Sequence, residues 1–277
     1  MNLEARLSTT DPIQISKLKV SSIIRPKNVD VVILCGGKGE RLRPIVNNRP
    51  KPMCEFSGCP FLSILMEYVA GFGFKRFIMC AGYLGEMIEE YYQKRQRPWE
   101  ITFCLEKNTL GTGGAIINAK RFIQSDPFLV MNGDSFAQFD LDKFLDFHLK
   151  KKALLSMALV KNHGNRNSGK VSLNNEHRIM RFEEKKIDEG KSFDSAGIYL
   201  MNTAVFSFMK KGGKFSLEYD LFPLLIKERC FGYVRKTELI DYGTPDGYEK
   251  ARAFFAKGTI FRKGKKRKLF GRLKKFF

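Results

Sequence analysis

The stretch VDVVILCGGKGERLRP, residues 29–44, decides the fold of this chain. Its first seven residues are almost continuously apolar, which is typical of a strand buried on both faces. The glycines at positions 36, 37 and 39 follow directly. A buried strand that runs into a glycine turn indicates the opening of an α/β unit, and such a turn brings backbone N–H groups close to a ligand such as phosphate.

Short apolar segments alternate with helical segments as far as about residue 153. The apolar segments RFIMCAG, ITFCLE and PFLVMNGD are predicted strands, and the segments that begin at Phe61, Gly85 and Gly111 are predicted helices. This order predicts a mostly parallel sheet with helices on both faces. After residue 153, segments typical of strands and then a helical segment near residues 217–229 are expected to extend the sheet and cover the site.

Composition sets the class of protein. The chain has 277 residues, of which 43% are hydrophobic, so it can fill a substantial core. The six cysteines form no C-x-x-C pair, which favours small buried hydrophobes in a reducing compartment over disulfides or zinc. Neither a secretion signal nor an apolar run of membrane-spanning length is evident, and the expected location is the cytoplasm.

Two cations accompany the first glycine turn. Arg41 ends the turn and Lys51 follows in RPKP, so both can meet the ligand that the turn binds. A triphosphate fits this arrangement, although a tight turn with solvated surface cations remains an alternative. A Rossmann fingerprint is a poor match because Leu42 stands where Gly or Ala is needed, and no P-loop Lys-Ser/Thr follows.

Two carboxylates end predicted strands, Asp134 after FLVMNG and Asp241 after TELI. Each alone is more typical of a helix cap or loop acceptor. Together at a phosphate site they predict a Mg²⁺ site, because Mg²⁺ binds one or two protein carboxylates plus substrate phosphates. No role is assigned to the histidines, and the residues indicate no protein nucleophile.

Two further motifs give weaker signals. The turn LGTGGA, residues 110–115, can lie against a base or accept a phosphate at a helix start. In FEEKK, residues 182–186, Lys185 can meet an anionic group of a second substrate, although a charged run of this kind is commonly a solvated face.

Seven motifs in sequence order resemble those of the sugar-1-phosphate nucleotidyltransferases: GGKGERL, RPKP, LGTGGA, NGDS, FEEKK, SAGIY and DYGTPDGY. The resemblance covers residues 29–255, which it marks as a catalytic domain. It implies a three-layer α/β/α sandwich with a mostly parallel, Rossmann-like mixed sheet. It also implies a reaction in which an NTP and a sugar 1-phosphate give an NDP-sugar and pyrophosphate.

The resemblance assigns roles to individual residues. It implies catalytic roles for Arg41, Lys51 and Lys185, and metal binding by Asp134 and Asp241. Nucleotide binding is implied for Gly36, Gly37, Gly39, Gly111, Thr112 and Gly113, and sugar binding for Gly169, Glu184, Lys185, Ser195 and Gly197.

The resemblance favours GTP as the nucleotide and a manno-configured heptose 1-phosphate as the sugar. Glu106 lies five residues before Gly111, where some relatives place a residue that reads the base, and a carboxylate can accept from N1–H and N2–H₂ of guanine. UTP, CTP or dTTP and mannose 1-phosphate remain alternatives. Relatives commonly have Pro at the position of Lys186, and Asn or Gly at those of Ser195 and Ala196, and both departures flank the predicted sugar pocket.

The two ends of the chain stand apart from the predicted domain. Residues 1–28 form a predicted N-terminal arm of unassigned role. Residues 256–277 form a basic tail, which holds ten lysines and arginines and no acidic residue. The tail therefore accounts for half of the chain's formal net charge of +20. Apolar residues recur there at helical spacing, so an amphipathic helix on an anionic inner-membrane surface is one interpretation and a solvated tail another. These apolar residues are Leu269, Phe270, Leu273, Phe276 and Phe277.

Three other classes of protein are weaker fits. A nucleic-acid-binding protein is disfavoured because the charge is concentrated in the tail and the body has no recognised binding module. A regulatory or inactive relative is disfavoured because Arg41, Lys51, Asp134 and Asp241 are all present. A glycosyltransferase is expected to have a D-x-D motif, but NGDS supplies one carboxylate.

Overall fold

The computed structural model of the chain describes residues 24–46, 48–161, 168–184, 192–210, 212–262 and 265–268. The helices of these ranges are α1 Phe61–Ala70, α2 Gly85–Gln93, α3 Gly111–Ala119, α4 Leu141–Lys151, α5 Phe222–Leu225 and α6 Pro245–Ala256. The strands are β1 Asp30–Leu34, β2 Glu55–Phe56, β3 Cys59–Pro60, β4 Arg76–Ala81, β5 Glu100–Leu105, β6 Phe128–Asn132, β7 Ser135–Ala137, β8 Leu155–Lys161, β9 Lys170–Leu173, β10 Ile179–Glu183, β11 Phe193–Met201, β12 Cys230–Arg235, β13 Leu239–Asp241, β14 Thr259–Arg262 and β15 Lys265–Lys268.

The main sheet has nine strands in the described part of the chain, in the order β10-β9-β11-β6-β1-β4-β5, with β8 beside β11 and β12 beside β8. Strands β6, β1, β4 and β5 are parallel, and Val32 of β1 faces Ile78 on one side and Val130 on the other. Strand β11 runs antiparallel to β6, and β9 and β10 continue antiparallel. The predicted mixed sheet is confirmed.

Strand β1 has core on both of its faces. Val31 and Ile33 belong to one buried cluster, which includes most of α1, while Val32 belongs to another, which includes Ile116 of α3. Successive side chains of a strand point to opposite faces, so an apolar run in β1 can serve two layers of helices at once. The predicted α/β/α arrangement is therefore confirmed.

A separate two-stranded ribbon stands beside the main sheet. Strands β7 and β13 pair antiparallel, so that Asp241 faces Ser135 in the register. Tyr242 follows β13 and is fully buried, with its ring centroid 4.7 Å from that of Phe61 and 5.3 Å from that of Phe56. The ribbon thus ties a late segment of the chain to the carboxyl end of β6.

The predicted helical segment near residues 217–229 is short. Residues Leu217–Leu221 form one wide turn, in which the N–H of Leu221 donates to the carbonyl of Ser216 at 3.1 Å, and α5 follows at once. Pro223 lies in the first turn of α5, where its missing N–H costs no helical hydrogen bond. This segment leaves a pair of polar side chains, Ser216 and Glu218, near the site described below.

Several predictions concern the chain ends and the cysteines. All six cysteines are buried free thiols, as predicted. Among the described residues, no helix combines the length and apolar character that crossing a bilayer requires. In the tail, β14 and β15 pair as an antiparallel hairpin. The apolar residues of the predicted amphipathic helix, 269–277, and residues 1–23 of the predicted arm lie outside the described residues.

Candidate active site

The first glycine turn lies at the carboxyl end of β1. It begins after a hydrogen bond from the Cys35 N–H to the Cys80 carbonyl, 2.8 Å, and Gly39 has a left-handed backbone with φ +62°. A methyl carbon built at Gly39 would lie 3.3 Å from Cβ of Lys51, whereas one at Gly37 would meet no atom within 4 Å. The left-handed backbone, together with the close approach of Lys51, favours glycine at position 39, and Gly37 leaves open space for a ligand.

Arg41 and Lys51 converge beyond this turn. A methyl carbon built at Gly243 would lie 2.9 Å from Lys51 Nζ, 3.5 Å from Arg41 Nη2 and 2.9 Å from Asp241 Oδ1. Lys51 Nζ also donates to Asp134 Oδ2 at 2.8 Å and stands 5.0 Å from the ring centroid of Tyr242. The structure thus brings together both predicted cations and both predicted metal-binding carboxylates.

The two carboxylates influence one another. Burial raises the pKa of Asp241 and the charge of Asp134 raises it further, while Lys51, the Gly243 N–H and Arg41 act in the opposite direction. The Gly243 N–H donates to Asp241 Oδ1 at 2.8 Å. Two carboxylates that repel each other at one edge of a sheet are a suitable donor set for a divalent cation.

The same donor set indicates what completes such a site. Within the described ranges, no group of three or more His, Cys, Asp or Glu side chains is arranged to hold a metal ion by itself. Mg²⁺ accepts as few as one or two protein carboxylates when substrate phosphates supply further oxygens. Asp134 and Asp241 fit a metal that arrives with a nucleotide.

Glu106 lies between the two glycine turns. Its Oε2 accepts the Leu110 N–H at 3.3 Å, and a methyl carbon built at Gly36 would lie 3.3 Å from its Oε1. Burial raises the pKa of Glu106, and the hydrogen bond from Leu110 lowers it in part. The predicted base-reading carboxylate therefore adjoins the first glycine turn, and its contact with a base stays a prediction.

The second glycine turn packs against residues 215–218. Gly111 has φ +76°, and methyl carbons built at Gly111 and Gly113 would lie 2.6 Å from the Phe215 carbonyl oxygen and 2.5 Å from Phe215 Cδ1. Thr112 Oγ1 donates to Glu218 Oε2 at 2.6 Å and accepts the Leu217 N–H at 2.8 Å. These contacts require small residues whether or not a nucleotide binds, so nucleotide binding by this turn stays a prediction.

A cleft of about 130 Å³ joins the charged cluster to the predicted sugar site. Arg41, Asp134 and Asp241 line one part of it. The predicted sugar-binding residues Gly169, Glu184, Ser195 and Gly197 line another, together with residues to which the sequence assigned no role: Asn132, Ser135, Ser168, Tyr199, Glu218 and Leu239.

Close packing fixes the wall formed by the predicted sugar-binding residues. A methyl carbon built at Gly169 would lie 2.6 Å from Phe182 Cζ and 2.9 Å from Glu184 Oε2, and one at Gly197, which has φ +69°, would lie 2.7 Å from Asn132 Nδ2. The Ser195 N–H donates to the Gly169 carbonyl at 2.8 Å. Lys185, the predicted sugar-phosphate ligand, lies outside the described residues.

A buried ion pair joins Lys170 and Asp194, which directly follow Gly169 and directly precede Ser195 in the chain. Ser168 Oγ donates to Asp194 Oδ1 at 2.8 Å, and the paired residues belong to neighbouring strands β9 and β11. An isolated lysine in an apolar strand carries no sequence signal for its partner. Tyr199, in contrast, stands within the motif SAGIY, and Glu218 lies in the predicted helical segment near residues 217–229. For Tyr199, its position in a motif was the available signal.

The comparisons with known proteins agree with this geometry. The family described as "Nucleotidyl transferase" matches residues 30–258, and this chain belongs to that family. It is 34% identical over 224 residues to the D-glycero-alpha-D-manno-heptose 1-phosphate guanylyltransferase of Aneurinibacillus thermoaerophilus, covering 80% of this chain and 96% of that one. It is 33% identical over 234 residues to the mannose-1-phosphate guanylyltransferase of Mycobacterium tuberculosis, covering 83% of this chain and 65% of that protein.

Solved structures give the same result. HddC from Yersinia pseudotuberculosis, in a crystal structure complexed with GMP-PN, is 33% identical with a TM-score of 0.72, and the match covers 82% of this chain and 99% of that one. A putative glucose-1-phosphate thymidylyltransferase from Bacillus anthracis also has a TM-score of 0.72, at 20% identity, and supports the fold alone. The predicted membership of the nucleotidyltransferases is confirmed.

Proposed function

We propose that this protein is a sugar-1-phosphate guanylyltransferase, which joins GTP and D-glycero-α-D-manno-heptose 1-phosphate to give GDP-heptose and pyrophosphate. The observation that carries this proposal is the cleft itself. Arg41, Asp134 and Asp241 line one part of it, and Lys51 stands beside them and donates to Asp134, which suits a triphosphate with its metal. Hydroxyl, amide and carboxylate groups line the remainder, which suits a sugar.

The charges in the site account for the chemistry. An oxygen of the sugar phosphate attacks the α-phosphorus of GTP in line, a new P–O bond forms, and the bond to the β-phosphate oxygen breaks to release pyrophosphate. Arg41 and Lys51 neutralise the charge that develops on the transferring phosphoryl group and on pyrophosphate. Lys185 binds the phosphate of the incoming sugar. The protein contributes position and charge, so it needs no nucleophile of its own.

Mg²⁺ is the metal that we assign to this reaction. It would be held by Asp134 and Asp241 and, when bound, supplies additional positive charge at the nucleotide phosphates. Burial and then the charge of Asp134 raise the pKa of Asp241, and a bound cation would offset both effects, which supports this assignment.

Guanine is the proposed base because a carboxylate, Glu106, adjoins the phosphate turn. A carboxylate accepts from both N1–H and N2–H₂ of guanine and leaves adenine or a pyrimidine badly paired. The relatives from Aneurinibacillus and Mycobacterium, both named guanylyltransferases, support the same base. The heptose is proposed because of the relative from Aneurinibacillus, and mannose 1-phosphate is the second candidate because of the relative from Mycobacterium.

The proposal is tested by pyrophosphate release in the presence of Mg²⁺. GTP, UTP, CTP, ATP and dTTP are each combined with D-glycero-α-D-manno-heptose 1-phosphate, mannose 1-phosphate and glucose 1-phosphate. Release with GTP and the heptose compound alone is the expected result. Release of pyrophosphate with another pair would assign that nucleotide and sugar 1-phosphate as the substrates instead. No release from folded protein with any pair would contradict the proposed function.

We also propose a cytoplasmic enzyme that supplies cell-envelope glycan synthesis and docks on anionic lipid through residues 256–277. The excess of lysine and arginine in this segment supports lipid binding, because each cation near an anionic surface contributes about 1 kcal/mol. Co-sedimentation with phosphatidylglycerol vesicles but not phosphatidylcholine vesicles, lost when the segment is deleted, is expected. Salt-dependent binding of DNA by the shortened chain would instead indicate a nucleic-acid-binding body.

A further inference from the structure

The carboxylate of Glu218 is held in place at one oxygen. Thr112 Oγ1 and Ser216 Oγ both donate to its Oε2, at 2.6 and 2.9 Å. Ser216 Oγ in turn accepts the N–H groups of Glu218 and Tyr219 at 3.1 and 3.2 Å, so the backbone fixes the donor. With Oε2 anchored on two sides, the position of the whole carboxylate is determined before any substrate binds.

The other oxygen of Glu218 is available to a ligand. Within the described part of the chain, no donor bonds to Glu218 Oε1, and Glu218 lines the cleft together with Glu184 and Tyr199. Asn132 lines the same cleft, and its Oδ1 is buried without a hydrogen-bond partner in these ranges. A buried acceptor without a donor is costly, which a bound hydroxyl group would correct.

We propose that Glu218 is a sugar-recognition residue that accepts a hydrogen bond from a hydroxyl of the sugar 1-phosphate, and that Thr112 is its positioning residue. This inference rests on the proposed function and deepens it. It also assigns the Thr112 hydroxyl to the sugar half of the reaction, because this hydroxyl donates its proton to Glu218 and accepts the N–H of Leu217. The second glycine turn then aligns the sugar site with the nucleotide site.

Glu218→Gln tests the proposal because it keeps the size of the side chain while removing the charge of the acceptor. With D-glycero-α-D-manno-heptose 1-phosphate, we expect KM for the sugar to rise about 10- to 100-fold and KM for GTP to stay within about twofold. Thr112→Val should raise KM for the sugar by a smaller factor, and Thr112→Ser, which keeps the hydroxyl, should restore it. Equal changes in both KM values would contradict the proposal.

Asp220→Asn is the matched control. Asp220 accepts the Ser216 N–H at 2.7 Å in the same turn but is exposed and does not line the cleft. It should leave both KM values within about twofold. A rise in the sugar KM of Asp220→Asn equal to that of Glu218→Gln would show that the turn, and not the carboxylate, is responsible.

Deoxy substrates identify which sugar hydroxyl bonds to Glu218. This test also works if Glu218→Gln is unstable, because Thr112→Val can be used as the variant instead. Monodeoxy analogues of the heptose 1-phosphate are compared in wild type and variant. For one analogue, removal of the hydroxyl should lower kcat/KM in the wild type by a factor at least about five times larger than in the variant. The reason is that the variant has already lost the hydrogen bond that this hydroxyl makes. Equal penalties for every analogue would overturn this inference alone, whereas no activity in the wild-type enzyme would overturn the proposed function with it.

Discussion

The ammonium group of Lys51 lies 2.8 Å from Asp134 Oδ2, across 83 residues of sequence. The lysine side chain is 10% exposed and the aspartate side chain 45% exposed, so the more buried lysine is held by the more accessible carboxylate. A positive charge therefore already stands at the carboxylate pair, where a metal-bound triphosphate is proposed to bind. Lys51 and the proposed metal would share Asp134 as their negative partner.

Replacement of Lys51 by Met should separate two effects. We expect turnover to fall at least about 100-fold, because a charge that stabilises the transferring phosphoryl group is lost. The affinity of the free enzyme for Mn²⁺ should rise, because Asp134 and Asp241 then lack their ammonium partner. Pyrophosphate release and electron paramagnetic resonance titration measure the two quantities. Arg252→Met, which removes an exposed cation bonded to Glu249, is the control and should change neither.

Gly243→Ala and Gly37→Ala should act differently. The added methyl at Gly243 would contact Lys51 Nζ and Asp241 Oδ1 at 2.9 Å, so it must displace both groups, and we expect kcat to fall at least about tenfold. The methyl at Gly37 meets no protein atom within 4 Å, so the melting temperature should not change, while KM for GTP should rise as the methyl enters ligand space. An unchanged KM for GTP in Gly37→Ala would place the triphosphate elsewhere.

Glu106→Gln should weaken the distinction between GTP and ITP, which lacks the N2 amino group. We expect the ratio of their kcat/KM values to fall about tenfold or more. Glu100→Gln, at an exposed position that begins β5, is the control. An unchanged GTP to ITP ratio in Glu106→Gln would remove Glu106 from base recognition.

The same carboxylate gives a pH dependence. Because burial raises the pKa of Glu106 above 4.5, protonation begins at a higher pH than for an ordinary glutamate. Acidification should therefore reduce the GTP to ITP ratio before an ordinary glutamate would titrate, and Glu106→Gln should show no such change. The measurement is the ratio of kcat/KM values across the acidic range.

Stability should fall with acid through His148. Burial lowers the pKa of His148 from 6.5 to about 4, and its Nδ1 is 2.9 Å from Ser156 Oγ. In the unfolded chain His148 therefore binds a proton below about pH 6.5, whereas in the folded chain it binds one only below about pH 4. The free energy of unfolding should decrease over this window by about 3 kcal/mol from this group. Urea unfolding at several pH values should show a shallower decrease in His148→Gln, and no such change in the exposed control His177→Asn.

The sequence predicted those parts of the fold that depend on local pattern. An apolar run followed by glycines predicted β1 and its turn. This pattern is typical of a buried strand after which the chain turns sharply, as in an α/β unit. Strand ends likewise predicted the approach of Asp134 and Asp241. Each of these rests on residues that are neighbours in the chain or on the geometry common to all parallel sheets.

Contacts between distant short segments were not predictable. The β7–β13 ribbon has three-residue strands, too short for a periodic pattern to appear. Glu218 lies 106 residues from Thr112, and the sequence of neither segment indicates that the two side chains are in contact. The glycines of LGTGGA signalled a phosphate turn, while their contacts with Phe215 show a packing requirement that has the same sequence signature.

Tyr242 joins segments of the site that are far apart in the sequence. Its hydroxyl is directed at the carbonyls of Lys51 and of Gly133, at 3.3 and 3.2 Å, and the latter precedes it by 109 residues. During synthesis, the first glycine turn and Asp134 leave the ribosome long before the segment that carries Asp241. The proposed metal site can therefore be completed only after the segment that carries Asp241 has been made, which is late in synthesis.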